Sequence, residues 1–372
     1  MRILFLASRD WQDPKACGGD QCTTDFARYL ARRGYVVTLL AARHAGSARE
    51  EVLDGVRIVR PGGLFFLACY AWAFYVRHRH EFDVVYEEGF ASLRLPFLAP
   101  LYVARPIAAM WYQLHAPIFD EQYPRPIAWL LTRLERLVLA LHRRCLMLAL
   151  SQERREELIA AGFAPEQVRV LPPLMLAPRP EQAFEGSREP LAVWLGKIRR
   201  YKCPHIAIEA MPEVCRRVPD ARLVIAGRRD DEQYERDLLS LARRLGVGER
   251  VEVRVDISDA EKWDLLAQAS ALVVTSPVEG FGIVVVEAGR CGTPVVATEG
   301  TPADTVRDGY NGLRVPFGDP RALAAALVQV LDGDALFEQL SINARRHAEE
   351  FSTEETGRRL EDTLARATAR AA

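Results

Sequence analysis

Apolar residues in this chain come in short runs, and between the runs they recur at helical spacing. That alternation predicts parallel α/β layers. Strands are expected at 2–7 (RILFLA), 35–41 (YVVTLLA), 56–60 (VRIVR), 83–87 (DVVYE), 107–112 (IAAMWY), 145–150 (CLMLAL) and 168–171 (VRVL). Helical patterns lie between them, clearest in "QCTTDFARYLARRG". There Phe26, Tyr29 and Leu30 mark one face and Gly34 suits the stop.

The stretch "PPLMLAPRPEQAFEGSREP", Pro172 to Pro190, breaks the rhythm and reads as a linker between domains. A second series follows, with strands expected at 191–195 (LAVWL), 222–226 (RLVIA), 251–255 (VEVRV), 271–275 (ALVVT), 294–297 (PVVA) and 313–315 (LRV). The chain ends in helical sequence from Pro320 to about Arg370, with Ser352 or Thr353 as the cap of the last helix. The fold class is therefore α/β, two doubly wound Rossmann-like domains in series. Ligands of such sheets bind at the carboxyl ends of the strands, and a cleft between two facing domains is the expected site.

Composition agrees and removes some function classes. The chain has 372 residues, 49% of them hydrophobic, and domains of roughly 100–200 residues make two the natural number. Forty-nine basic against 50 acidic side chains leave a net charge of −1, which argues against nucleic acid as the main partner. The cysteines (Cys17, Cys22, Cys69, Cys145, Cys203, Cys215 and Cys291) show no CxxC or Cys/His spacing and read as reduced thiols of a cytoplasmic protein. "MRILFLAS" reads as a first strand and not as a signal peptide. The longest apolar run, Leu64 to Val76, is well short of the ~20 residues of a membrane span.

No G-x-G-x-x-G follows the opening strand, where the sequence is "ACGGDQC", and no P-loop occurs. A dehydrogenase and a P-loop kinase thereby lose their main signatures. Gly18 and Gly19 fall in the loop before the first clear helix, where bare backbone and a helix N-terminus suit a phosphate or sugar. A plain loop turn is the other reading. "WLGKIRRYKCP" gathers Lys197, Arg199, Arg200 and Lys202 after the first strand of the second series. Cations there suit a diphosphate, although a solvated basic loop has the same composition.

The most informative stretch is "SPVEGFGIVVVEAGRCGTPVV", Ser276 to Val296. It reads as a strand end, a tight turn and an apolar helix. The N–H groups of Gly280, Phe281, Gly282 and Ile283 would be unpaired at the helix start and open to an anion or to hydroxyls. Glu279 precedes the helix and Glu287 lies within its first turns. Carboxylates accept hydroxyl hydrogen bonds, as in the ribose contact of dinucleotide sites. One carboxylate for a sugar, one for ribose and helix N–H groups for phosphate describe a nucleotide-sugar site. Alternatively Glu279 is a helix cap and Glu287 a paired polar residue.

Taken in order, "GGDQCTTDFARYLARRGYVVTLLAA", "GKIRRYK", "SPVEGFGIVVVEAGRCGTPVVAT" and "VRDGYNGLRVPFGDPRALAAAL" resemble the retaining glycosyltransferases of family 4, of the two-domain GT-B fold. The resemblance spans nearly the whole chain, and its specificity is concentrated in the second domain. It implies an N-terminal acceptor domain over 1–172, a linker over 173–190 and a donor domain over 191–351. A C-terminal helix, about 352–372, is expected to cross back onto the first domain. The resemblance also implies roles. Glu287 would hold the donor ribose and Glu279 would lie near the transferred sugar. The backbone of Gly280, Phe281 and Gly282 would contact sugar and phosphate. Lys197 and Lys202 would bind the diphosphate, Gly19 would approach the β-phosphate, and His115, ending "AAMWYQLH", would face the sugar. Base recognition is expected near Arg228 and residues 255–257.

Some positions depart from the family pattern. Lys197 stands where arginine is usual, His115 is followed by Ala-Pro, the linker "VLPPLMLAP" lacks the usual Asn-Gly, and Asp304 stands where glutamate is common. Lys197 replaces a guanidinium fork with a point charge of the same sign. No core group of the motif is lost.

The reaction implied moves a sugar from a UDP- or GDP-linked donor to an acceptor hydroxyl with retention, without metal or other cofactor. The acceptor is a carbohydrate, a lipid-linked glycan or a small molecule. The alternatives are an epimerase or inverting transferase on the same frame, or a sugar-nucleotide-binding protein without turnover. Two segments bear on a membrane, "FFLACYAWAFYVRHRHEF" and "RPIAWLLTRLERLVLALHRRC". Basic amphipathic helices rest on anionic lipid, which would place the protein at the inner face of a membrane. Core helices with solvated basic faces are the preferred reading of both segments.

Overall fold

The computed structural model describes residues 1–89, 96–176 and 188–369. The chain divides into two compact units, Met1–Leu176 with Ser352–Ala372, and Ala177–Phe351. The central part of the expected linker, 177–187, lies outside the described residues, as do 370–372 of the expected last helix.

The first unit runs β1 (Arg2–Leu6), α1 (Gly18–Arg32), β2 (Val36–Leu40), β3 (Glu50–Leu53), β4 (Val56–Val59), α2 (Leu67–His78), β5 (Val84–Glu88), β6 (Ile107–Trp111), α3 (Ala116–Gln122), α4 (Arg125–Leu141), β7 (Leu146–Ala149), α5 (Gln152–Ala160) and β8 (Val168–Val170). Its eight strands are ordered β3-β4-β2-β1-β5-β6-β7-β8. All pairings are parallel except β3 with β4. The parallel strands are buried on both faces, which is why they read as unbroken apolar runs. The edge strand β3, "EEVL", is polar and half-exposed, so the apolar pattern did not predict it. Helix α1 ends where expected, with Gly34 at φ +87°.

The second unit runs β9 (Leu191–Leu195), α6 (Pro204–Arg217), β10 (Arg222–Gly227), α7 (Glu232–Arg244), β11 (Val251–Val255), α8 (Asp259–Gln268), β12 (Ala271–Val274), α9 (Ile283–Cys291), β13 (Val295–Thr298), β14 (Gly312–Val315), α10 (Pro320–Leu331) and α11 (Asp334–Glu349). Its six strands, all parallel, are ordered β11-β10-β9-β12-β13-β14. The helical sequence after Pro320 is three helices, the last being α12 (Thr353–Ala369). The Ser352 hydroxyl caps it by accepting from the Glu355 N–H at 3.3 Å. Helix α12 belongs to the first unit, where it packs on α1, β5 and β6.

Both sheets reverse their winding at one point, between β1 and β5 and between β9 and β12. Loops leaving the carboxyl ends of such strands diverge and open a crevice. The loops after β1, β9 and β12 carry most of the residues singled out by the sequence.

Candidate functional site

The second unit builds its site from the loops after β9, β10 and β12. Two hydrogen bonds seat the β9 loop. The Trp194 indole donates to the Thr275 hydroxyl at 3.0 Å, and that hydroxyl donates to the Lys202 carbonyl at 3.0 Å. Lys202 ends a single helical turn, Arg200–Lys202, and Cys203 follows at φ +52°. A left-handed conformation at a side-chain-bearing residue is uncommon and turns the chain sharply into Pro204 and α6.

This anchoring brings Lys202 to Glu279. The ammonium lies 2.5 Å from Glu279 Oε1, which also accepts from the Ser276 hydroxyl at 2.6 Å. Both side chains keep limited solvent access. The Glu279 N–H donates to the Gly300 carbonyl at 2.9 Å and fixes the turn. Glu279 is therefore not a helix cap. The residue before α9 is Gly282, at φ +86°, a conformation that glycine adopts without steric cost. Among the described residues the N–H groups of Gly280, Phe281 and Gly282 meet no acceptor, and Ile283 opens the helix. Phe281 is itself buried edge-on against Phe351 and holds the loop from beneath.

Glu287 sits in the second turn of α9, 8% exposed. Its Oε1 lies 2.7 Å from the Lys262 ammonium of α8. Lys197 is 2.8 Å from Asp230, which also receives Arg199 at 2.7 Å. Burial pushes the Asp230 carboxyl up, but the hydrogen bonds from Lys197 and Arg199 outweigh it and hold Asp230 below its ordinary value. Arg228 follows β10, and its carbonyl accepts from the Ile198 N–H at 2.9 Å, so it lies beside the same loop. Asp230 and Lys262 escaped the sequence reading. Each stands in a charge-rich surface stretch, "GRRDDEQ" and "SDAEKW", with nothing local to single it out.

In the first unit, Gly18 and Gly19 are not in a loop. They form the first turn of α1, with Cys17 as N-cap, because Asp20 reaches back to the Cys17 N–H at 2.8 Å and starts the helix early. The Tyr112 hydroxyl donates to the Gly19 carbonyl at 2.7 Å and also meets the Thr23 hydroxyl. A Cβ on Gly19 would come within 3.2 Å of the Tyr112 ring. His115 precedes α3 and is held by Glu135 of α4. The carboxylate accepts from the His115 N–H at 3.0 Å and from Nδ1 at 2.9 Å, while the ring stacks on Phe119. Glu135 is 2% exposed. It was not predicted, although it is the only acid in a helix of leucines and arginines. The Asp256 carboxylate accepts from the Arg229 N–H at 3.1 Å, which sets residues 255–257 beside the loop that carries Arg228. Among the described residues no group of three or more His, Cys, Asp or Glu side chains is placed to hold a metal ion.

Comparison with known proteins agrees with this anatomy. The profile of the family described as "Glycosyltransferase Family 4" matches residues 17–174, and that of "Glycosyl transferases group 1" matches 179–347. The D-inositol 3-phosphate glycosyltransferase of Kribbella flavida is 30% identical over 306 residues, covering 76% of this chain and 70% of that protein. The chain is a family 4 glycosyltransferase. The protein of the same name from Xylanimonas cellulosilytica is 28% identical over 93% of this chain and 91% of its own. Solved structures confirm the GT-B fold of this glycosyltransferase. Anabaena HepE, in complex with UDP and glucose, aligns with a TM-score of 0.75 at 21% identity over 98% of this chain and 99% of its own. The sucrose-phosphate synthase of Thermosynechococcus elongatus aligns with a TM-score of 0.78 at 21% identity, over 99% and 100%.

Proposed function

We propose that this glycosyltransferase moves a sugar, with retention, from a nucleoside diphosphate sugar to an acceptor hydroxyl. One observation carries the reading. At the switch point of the second sheet, a Lys–Glu pair (Lys202–Glu279) stands beside backbone N–H groups that have no acceptor among the described residues. A diphosphate wants the cation and the N–H groups, whereas a sugar wants the carboxylate. Lys202 and Lys197 neutralise charge on the leaving diphosphate. Glu279 and Ser276 hold sugar hydroxyls, and the Gly280–Gly282 backbone meets sugar and phosphate. Glu287, with Lys262 on one oxygen, offers the other to the ribose. Arg228 lies toward the base.

In this mechanism the acceptor attacks on the face the diphosphate leaves, and a donor phosphate oxygen takes the acceptor proton. The cationic groups carry the charge without a metal ion. Gly18 and Gly19 supply helix N–H groups from the first unit. His115, its Nδ1 proton committed to the buried Glu135, presents a fixed ring to a sugar hydroxyl.

UDP is the preferred nucleotide because the HepE complexes contain UDP and UDP-glucose. D-Inositol 3-phosphate is the first acceptor to try, because several relatives carry it in their names. A thermal-shift panel of UDP-, GDP- and ADP-sugars tests the donor, since the right one raises the melting temperature by mass action. NMR assignment of the product anomer tests retention, and an inverted product refutes it. Undiminished turnover in EDTA is expected, and loss of turnover there refutes the metal-free reading.

A further inference from the structure

The sequence favours α2 and α4 as core helices with solvated basic faces. The inward faces do pack in one core, with Leu67, Ala71 and Tyr75 of α2 and Ala128, Leu131 and Val138 of α4. The outward faces are another matter. On α4, Trp129 is 60% exposed and Leu137 59%, and Leu130 and Leu134 are exposed between them. These positions recur at three and four residues and form one stripe on a helix about 25 Å long. On the segment leading into α2, Phe65 is 72% exposed and Phe66 is exposed as well, and so is Trp72 within α2.

Arginines flank the α4 stripe. Arg125, Arg133 and Arg136 are exposed on the helix, and Arg143 and Arg144 follow it. None of the five has an ion pair among the described residues, whereas Arg2, Arg28, Arg57 and Arg229 are all bridged. The Arg133 guanidinium lies 5.3 Å from the Trp129 ring centre. The only acid of α4, Glu135, faces inward and is spent on His115. The outer face is therefore uniformly cationic on a protein whose net charge is −1.

We propose that this face of the first unit, centred on α4 with the aromatic entry to α2 on the same side of the sheet, docks on an anionic lipid bilayer. The apolar stripe enters the headgroup boundary and the arginines meet lipid phosphates. Complementary charge is what selects the bilayer over a second copy of the chain, since two such faces would repel. The proposal does not depend on the identity of the donor. It makes α4 a link between a lipid surface and His115, and it suits an acceptor whose hydroxyl is carried by a lipid anchor.

The test is flotation of the full chain with phosphatidylcholine vesicles, with and without phosphatidylglycerol, at low and high salt. The wild type is expected to float only with the anionic vesicles and to be released by salt. The double variant R133E/R136E should lose on the order of tenfold or more in partitioning, and W129S/L134S should lose a comparable amount through its missing apolar contact. Both should melt like the wild type, because these side chains are exposed. A wild-type chain that ignores anionic vesicles, or floats equally with neutral ones, overturns the proposal. So do variants that float undiminished. Lipid-free dimerisation abolished by the same substitutions would assign the face to a second copy and overturn it as well.

Discussion

Among the described residues, the first unit exposes thirteen large hydrophobic side chains and the second exposes three. The reverse holds for the charged side chains of the predicted site. In the second unit Lys197, Lys202, Glu279 and Glu287 each face an opposite charge: Lys202 with Glu279, Glu287 with Lys262, and Lys197 with Asp230. Of the predicted site residues of the first unit only His115 has an ionisable side chain, and the buried Glu135 holds it. One unit keeps its chemistry in preset ion pairs and closes its surface. The other contributes one ionisable side chain to the predicted site and leaves an apolar, cationic face open. This is the division expected when one unit grips a charged co-substrate and the other meets a varied surface.

The sharpest way to break that comparison is to unpair the second unit. Lys202→Ala and Glu279→Ala should each lower kcat by about 10²–10³-fold, in steady-state turnover of variants whose melting temperature is checked first. A small effect would move the chemistry elsewhere. Glu287→Ala comes next, and should weaken donor binding by about tenfold to a hundredfold in calorimetry. Wild-type donor affinity would sink the ribose assignment. On the first unit, Glu135→Gln keeps an acceptor oxygen and loses the charge. It should lower kcat about fivefold with the donor Kd unchanged, and a change in donor Kd alone would remove His115 from its proposed role.

The last prediction concerns stability and leaves turnover untouched. Burial pushes the Asp25 carboxyl of α1 up to about 6, against partial relief from Gln21 and Arg28. The folded state therefore holds a proton that the unfolded chain releases near pH 4. The contribution of Asp25 to stability should fall as pH rises from about 4 to about 6, by on the order of 1–3 kcal/mol. In denaturant melts the stability difference between wild type and Asp25→Asn should change by that amount over this range, and parallel pH profiles would contradict the shift.

Much of this was legible because parallel strands buried on both faces leave continuous apolar runs. Every such run, from "RILFLA" to "LRV", became a strand within a residue or two. The polar edge strand β3 left no such trace. Gly18 and Gly19 were misplaced because helix initiation turned on Asp20 reaching back to Cys17, a contact that periodicity does not register. The Glu279 turn was legible because its signal is local: a strand end, two glycines and an apolar helix within a few residues. Glu135 and Lys262 were not, because each acts on a residue 20 or more positions away.

The sequence by itself determined the alternation of strands and helices, the family and the two carboxylates flanking the Gly280–Gly282 turn. Burial and glycine chemistry are written in neighbouring residues. The tertiary structure decided which cation meets which carboxylate, that a buried glutamate holds His115, and that the outer face of α4 is apolar as well as basic. Those are properties of packing, since a helix shows which of its faces is left over only once the sheet has covered the other.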